Sequence, residues 1–382
     1  MSKIKPTDGP LSGLRVIELA GIGPAPFACM MLADMGAQII RVERPGQKMV
    51  KPELNFMIRG RQSVAINMKM PEGLEVVLRL IDKADCLIEG YRPGAMERLG
   101  LGPDVCLGRN SRLVYGRMTG WGQDGMLAQS AGHDLNYIAI TGALWASGSR
   151  DQAPAFPMNL LGDFGGGGML LAFGVVSALL RATRTGRGDL VDAAICDGTV
   201  SLMTMIYSMR ARDLWEDRRA ANFFDGGAPW YNVYECQDGN WITIGALEPQ
   251  FWTRLLELLE MDPAKFGDHH DPKSWPDIRR CFTALFLSKP RDHWSALLEN
   301  TDACFAPVLS PAEAAFHPHN KSRRLFSDDG LSQPMPVPRF AEARTPLPSP
   351  PPKPGADTRQ VLEAAGFSKN EVERLFEKGA VS

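Results

Sequence analysis

Leu14-Arg-Val-Ile-Glu-Leu19 is followed by Ala-Gly21-Ile22-Gly23-Pro24, by Pro26 to Met35, by Gly36, and by Gln38-Ile-Ile-Arg-Val42. The outer runs are short, apolar and rich in β-branched residues, and the middle one is longer and made of helix formers. The reading is strand, tight turn, helix, strand, with Gly36 closing the helix as its C-cap. Two strands joined through a helix run parallel. The alternation continues with strands at Ser63 to Met68, Cys86 to Ile88 and Leu113 to Arg117, and with the amphipathic helix Glu72 to Lys83. The expected fold class is therefore α/β, a Rossmann-like, doubly wound parallel sheet. Such sheets take their ligands beyond the carboxyl ends of the strands.

Two features sit at those ends. Gly21-Ile22-Gly23 is a fragment of a dinucleotide fingerprint without its third glycine, so it reads either as a tight turn or as backbone facing a nucleotide. Arg41 and Arg44 follow the second strand, and Arg92 and Arg98 follow the fourth. Arginines placed there suit bidentate phosphate recognition, and they are equally ordinary surface residues.

Beyond Leu180 the pattern changes. Asp197 to Trp215 reads as one long helix rich in methionine, and Met203, Met205 and Met209 read as core or as the lining of an adaptable acyl site. Trp230 to Cys236 and Trp241 to Ala246 alternate around Asp238-Gly239, a hairpin signal. Helices follow at Gln250 to Leu259, Asp277 to Leu287 and Arg291 to Glu299, then a proline-rich connector at Pro346 to Pro354, then helices at Asp357 to Ala365 and Lys369 to Lys378. The expected organisation is a large α/β domain over 1–193, a linker helix region over 194–229 and a small α+β domain over 230–324. A proline-rich linker over 325–354 and C-terminal helices returning to the large domain over 355–382 complete it.

The chain has 382 residues, 44% hydrophobic and 23% charged, with a formal net charge of -2. Its length predicts two domains. Its charge gives no reason to expect nucleic acid or an anionic membrane surface as a partner. Seven cysteines scattered without C-x-x-C spacing point to a reducing compartment, with no disulfide framework and no zinc site. His269-His270 and His317-x-His319 lie in polar contexts and read as non-metal histidines. Met1 to Pro10 lacks the apolar core of a signal peptide, and the C-terminal Gly-Ala-Val-Ser is no peroxisomal address, so a cytoplasmic protein is expected. No run reaches transmembrane length, and Met169 to Leu180 reads as a buried helix.

Ser130 to Leu180 carries the candidate chemistry. It contains Gly132-His133-Asp134-Leu-Asn136-Tyr137 and Asn159-Leu-Leu-Gly-Asp163-Phe164 before four glycines. His133 and Asp163 each stand at the start of an expected helix, beside unsatisfied backbone N–H groups and the positive end of a dipole. Asp163 reads as an N-cap or a catalytic carboxylate, and His133 as a structural or a catalytic histidine. The glycines read as tight helix packing or close ligand approach, and they lack the P-loop lysine. Spacing alone does not bring His133 and Asp163 together.

Met118-Thr-Gly-Trp-Gly-Gln123, Gly132-His133-Asp134 and Asn159-Leu-Leu-Gly-Asp163-Phe-Gly-Gly resemble the family-III CoA-transferase superfamily (CaiB/BaiF type), and within it the α-methylacyl-CoA racemase branch. The likeness continues through Gly13 to Leu19, Leu87 to Gly94, Asp225 to Pro229 and Gly245 to Phe251. It implies an interlocked homodimer with a shared active site, and a 2-methylacyl-CoA thioester as substrate. No cofactor is implied beyond the coenzyme A of the substrate. His133 and Asp163 would be the acid/base pair, and Glu248 would orient the imidazole. Asn159 and the backbone N–H near Asp134 would hold the thioester oxygen. Ile22, Arg44, Ile66, Arg92 and Arg98 would contact coenzyme A. The alternative is a CoA-transferase with Asp163 as nucleophile. Members of that branch generally lack the histidine and carry a glycine-rich loop where this chain has Glu248-Pro249-Gln250.

Overall fold

The computed structural model describes residues 8–47 and 50–382. Residues 1–7, on which most of the signal-peptide reading falls, lie outside the described residues. The chain divides into two compact units. One comprises Met1–Thr141, Pro157–Met203 and Gln333–Ser382, and the other Gly142–Phe156 and Thr204–Ser332.

The first unit is built on β1 (Arg15–Leu19), α1 (Pro24–Asp34), β2 (Gln38–Glu43), β3 (Arg61–Ala65), α2 (Pro71–Ile81) and β4 (Cys86–Glu89). It continues with α3 (Ala95–Arg98), α4 (Pro103–Arg109), β5 (Val114–Thr119), α5 (Asp134–Ala139), a wide π-type helix (Leu160–Met169), α6 (Leu170–Thr185), β6 (Asp189–Ala194) and α7 (Ile195–Leu202). Six strands form one all-parallel sheet in the order β3-β2-β1-β4-β5-β6. Side chains alternate across it, as strand geometry requires. Ile17, Leu19, Ile40, Val42, Leu87 and Tyr115 pack on one face with α2 and the C-terminal residues Val361, Leu362 and Phe367. Val16, Ile39, Ile88 and Val114 pack on the other with α1 and α6. Both faces being covered explains why these strands read as continuous apolar runs.

The edge at β3 is closed by the chain's own end. The Asp357 carboxylate accepts from the Ser63 N–H, the Thr358 hydroxyl accepts from the Ala65 N–H, and the Ser382 N–H donates to the Ala65 carbonyl. The helices Thr358–Ala364 and Lys369–Glu377 thus belong to this unit. Edge strands left open invite pairing with other chains, and this segment occupies that edge.

Three local expectations change. The sheet has a sixth strand, Asp189–Ala194, beyond the five expected. Asp197 to Trp215 is two helices, α7 and α8 (Thr204–Ala211), broken at Met203. The apolar run is also longer than it reads, because the wide helix is continuous with α6. Leu160–Thr185 is 26 residues long and apolar enough, by length and composition, to cross a bilayer. Its inner residues Leu171, Val175, Ala178, Leu179 and Ala182 are nonetheless buried in the second core layer.

The second unit holds α8, the antiparallel pair β7 (Tyr231–Glu235) and β8 (Trp241–Gly245), and then α9 (Pro249–Leu258), α10 (Trp275–Phe286), α11 (Arg291–Leu298) and β9 (Phe305–Val308). The three strands form a sheet in the order β7-β8-β9. Its core is aromatic, with Trp230, Trp252, Trp275, Phe282, Phe286 and Trp294 buried together. Helix α8 buries no side chain and Met205 is exposed, so Met205 and Met209 are not plain core.

Candidate active site

His133 is the N-cap of α5, in extended conformation. The Asn136 side-chain oxygen accepts from the His133 N–H at 3.0 Å, and the Asn136 N–H donates back to the His133 carbonyl at 2.8 Å. The backbone is thereby fixed while the imidazole stays exposed. Tyr137, one turn on, braces the preceding residue by donating from its hydroxyl to the Gly132 carbonyl. Its ring meets Trp121 edge-on at 4.7 Å. A Cβ at Gly120 would sit 2.0 Å from that ring, which explains the glycine in Met118-Thr-Gly-Trp-Gly. Tyr137 carried no role in the sequence reading.

Asp163 lies within the first turn of the wide helix and not at a helix start, since Asn159 takes the N-cap position. Its N–H donates to Oδ1 of the buried Asp134 at 2.6 Å. That bond joins the start of α5 to the first turn of the wide helix. The Asn159 side-chain amide donates to Asp163 Oδ2 at 3.3 Å. Gly23, with φ 69, faces the same oxygen, and a Cβ there would stand 3.3 Å from it. Burial pushes the Asp163 carboxyl above its ordinary value. The Asn159 hydrogen bond pulls it down, Asp134 pushes it up, and His133, within electrostatic reach, pulls it down.

The glycine run packs helices and cradles no phosphate. A Cβ at Gly166 would meet the Thr199 nitrogen at 2.8 Å, and one at Gly198 would meet the Gly166 carbonyl oxygen at 1.8 Å. A Cβ at Gly168 would stand 2.8 Å from the Pro24 carbonyl oxygen. Backbone therefore meets backbone where the wide helix crosses α7 and the start of α1, and only glycine allows that approach.

A cavity of about 540 Å³ opens at the carboxyl ends of β2, β3 and β4, lined by Arg44, Ile66, Lys69, Tyr91, Arg92 and Arg98 among others. Four of the five residues expected to contact coenzyme A are thus gathered in one place, with cations from three separate loops. Ile22 is outside this cavity, exposed in the turn between β1 and α1. Lys69 joins the arginines of the cavity without a motif to mark it, following the end of β3 as they follow theirs. Arg41 is no ligand, because it is buried against Glu18 and Glu43.

In the second unit Glu248 is the exposed N-cap of α9. The rings of His269 and His270 both contact the Leu247 carbonyl, and His317 pairs with Glu299 at 2.9 Å. Among the described residues no group of three or more His, Cys, Asp and Glu side chains is arranged to hold a metal ion. All seven cysteines are free.

A family model described as CoA-transferase family III matches residues 11–358. The chain is 40% identical over 368 residues to alpha-methylacyl-CoA racemase of Mus musculus, covering 96% of each chain. It is 39% identical over 369 residues to that of Homo sapiens, again covering 96% of each. Identity to succinyl-CoA:glutarate CoA-transferase of Mus musculus is 26%, over 97% of this chain and 90% of the other. Among solved structures, a CAIB/BAIF family protein from Brucella suis superposes with a TM-score of 0.79 at 25% identity, covering 94% of this chain and 100% of that one.

Proposed function

The chain belongs to CoA-transferase family III, and from that premise we propose that it is a racemase interconverting (2R)- and (2S)-2-methylacyl-CoA thioesters. The proton beside a thioester carbonyl is weakly acidic. Inverting the centre requires one group to remove it from one face and another to deliver a proton to the opposite face. The two groups must be in opposite protonation states, which a neutral imidazole and a carboxylic acid provide. The observation that carries this reading is the Asp163 N–H to Asp134 bond, which joins the start of α5, where His133 is the N-cap, to the first turn of the wide helix, where Asp163 lies. The raised Asp163 carboxyl suits a group that must spend half of its cycle protonated.

In this reading the backbone N–H at Asp134 and the Asn159 amide hold the enolate oxygen. Arg44, Lys69, Arg92 and Arg98 take the phosphates of coenzyme A. The protein acts as a homodimer, and Glu248 of the partner subunit orients the His133 imidazole. An uncovered apolar stripe on α6, with Phe173, Val176 and Leu180 exposed at helical spacing, supports the dimer.

The test is proton NMR of one epimer in deuterated buffer with oxalate and succinate present. Deuterium should appear at the α-carbon together with the opposite epimer. Efficient transfer of coenzyme A to the free acids without α-deuteration would replace the racemase by a transferase. Prolonged dialysis against a strong chelator should leave the rate unchanged. A loss restored by zinc or manganese would refute that expectation.

A further inference from the structure

We infer that His269 and His270 are positioning residues for Glu248, clamping the peptide that carries it. The inference rests on the role proposed above for Glu248. Nε2 of His269 lies 3.2 Å, and Nε2 of His270 2.9 Å, from the Leu247 carbonyl oxygen. A carbonyl oxygen offers two lone pairs, and two imidazoles each carrying a proton on Nε2 fill both. The Leu247 carbonyl and the Glu248 N–H belong to one planar unit, so fixing the first orients the second.

The chain is held on both sides of that unit. Upstream, the Leu247 N–H donates to the Gly245 carbonyl at 2.9 Å, closing a tight turn at the end of β8. Downstream, Pro249 restricts Glu248 to extended backbone, which it adopts with φ -78 and ψ 148. Its carbonyl accepts from the Phe251 and Trp252 N–H groups at 3.0 Å each. Little but the glutamate side chain remains free to turn.

The clamp itself is anchored in the aromatic core. His269 is buried and stacks on Trp252 of α9, with ring centroids 4.9 Å apart and planes 12° apart. Its carbonyl accepts from the indoles of Trp230 at 2.7 Å and Trp275 at 2.9 Å. Burial holds the His269 imidazole below its ordinary value, the Leu247 hydrogen bond pulls it up, and the neighbouring His270 pulls it down. A neutral ring is the form that donates one proton to Leu247 and keeps the other nitrogen bare. Two polar rings converging on one carbonyl, next to the exposed carboxylate, are more than a stable aromatic core requires.

The test is a double-mutant cycle with kcat, KM and melting temperature measured on the whole protein. Expected is a fall of about tenfold in kcat for His270→Phe, with KM little changed, because the loss lies in orientation and not in binding. His270→Gln, which keeps a donor, should recover most of it. In the Glu248→Gln background, His270→Phe should cost less than about twofold, since residues acting through one group are not additive. An equal loss in both backgrounds would mean that the histidines serve general structure, and would overturn the inference. A loss in Glu248→Gln without one in His270→Phe would overturn it while leaving the role of Glu248 intact. Full activity in Glu248→Gln would remove that role and the inference together. Should His270→Phe fail to fold, His270→Ala at this half-exposed position takes its place with the same outcomes.

Discussion

Asp163→Asn should go on exchanging the α-proton of the S epimer in deuterated buffer while net inversion falls by roughly 10²–10⁴-fold, the usual scale for one acid–base group. The substitution leaves the backbone in place, because Asp163 is tied to Asp134 through its N–H and not through its carboxylate. What is lost is the proton that the acid delivers to the far face. His133 retains its own face, where it can remove a proton, trade it with solvent and return deuterium. Neither variant can slow one direction of net inversion alone, since the equilibrium constant belongs to the substrates. Both directions must therefore fall by one factor in kcat/KM. Exchange without inversion is free of that constraint, which makes it the diagnostic measurement. His133→Ala should show the mirror pattern, exchange of the R epimer with inversion lost. Equal loss of exchange on both epimers in both variants would mean that one base per face is the wrong description.

Local rules read the central strands and failed at the margins. Strands β1, β2, β4 and β5 lie inside the sheet, are largely buried and announce themselves as apolar runs, whereas β6 is a sheet edge whose exposed positions include Asp189 and Asp192. Phe305–Val308 hides in the same way, since it contains Pro307 and pairs on one side only. The break at Met203 has no glycine or proline to signal it. His133 and Asp163 were legible as residues, but their coming within electrostatic reach of each other was not. It is brought about by Asp134, 29 positions from Asp163, through a carboxylate that spacing gives no reason to pair with an amide. Arg41 and Arg44 look alike in sequence, both being cations at the end of β2. Their fates differ because Glu18 sits one strand away, in register with Arg41, a fact that only the parallel pairing of β1 with β2 supplies.

Glu18 is accordingly where the first unit should be most vulnerable, and Glu18→Gln should lower its stability by about 3–5 kcal/mol, the cost of breaking a buried ion pair from one side. The carboxylate is fully buried on β1, with one oxygen on Arg41 and the other 3.0 Å from Nε of Arg61. Both arginine side chains are buried as well. After the substitution Arg41 keeps Glu43 at 3.2 Å, but Arg61 keeps only the carbonyls of Arg59 and Pro26. A guanidinium in a dry site with no counter-charge is the expensive case, because its lost hydration is no longer offset. The pair Arg280–Asp277, about three-quarters exposed on both sides, is the control, and Asp277→Asn should cost about 0–1 kcal/mol. Urea unfolding, with amide hydrogen exchange at β1 and β2 to report on this unit, measures both. The site should feel the loss too. Arg41 and Arg61 also bond the Gly21 and Pro26 carbonyls, which frame the turn that presents Gly23 to Asp163. A loss below about 1 kcal/mol in Glu18→Gln, no larger than an exposed pair gives, would mean that water reaches these arginines and that the network does not hold the turn.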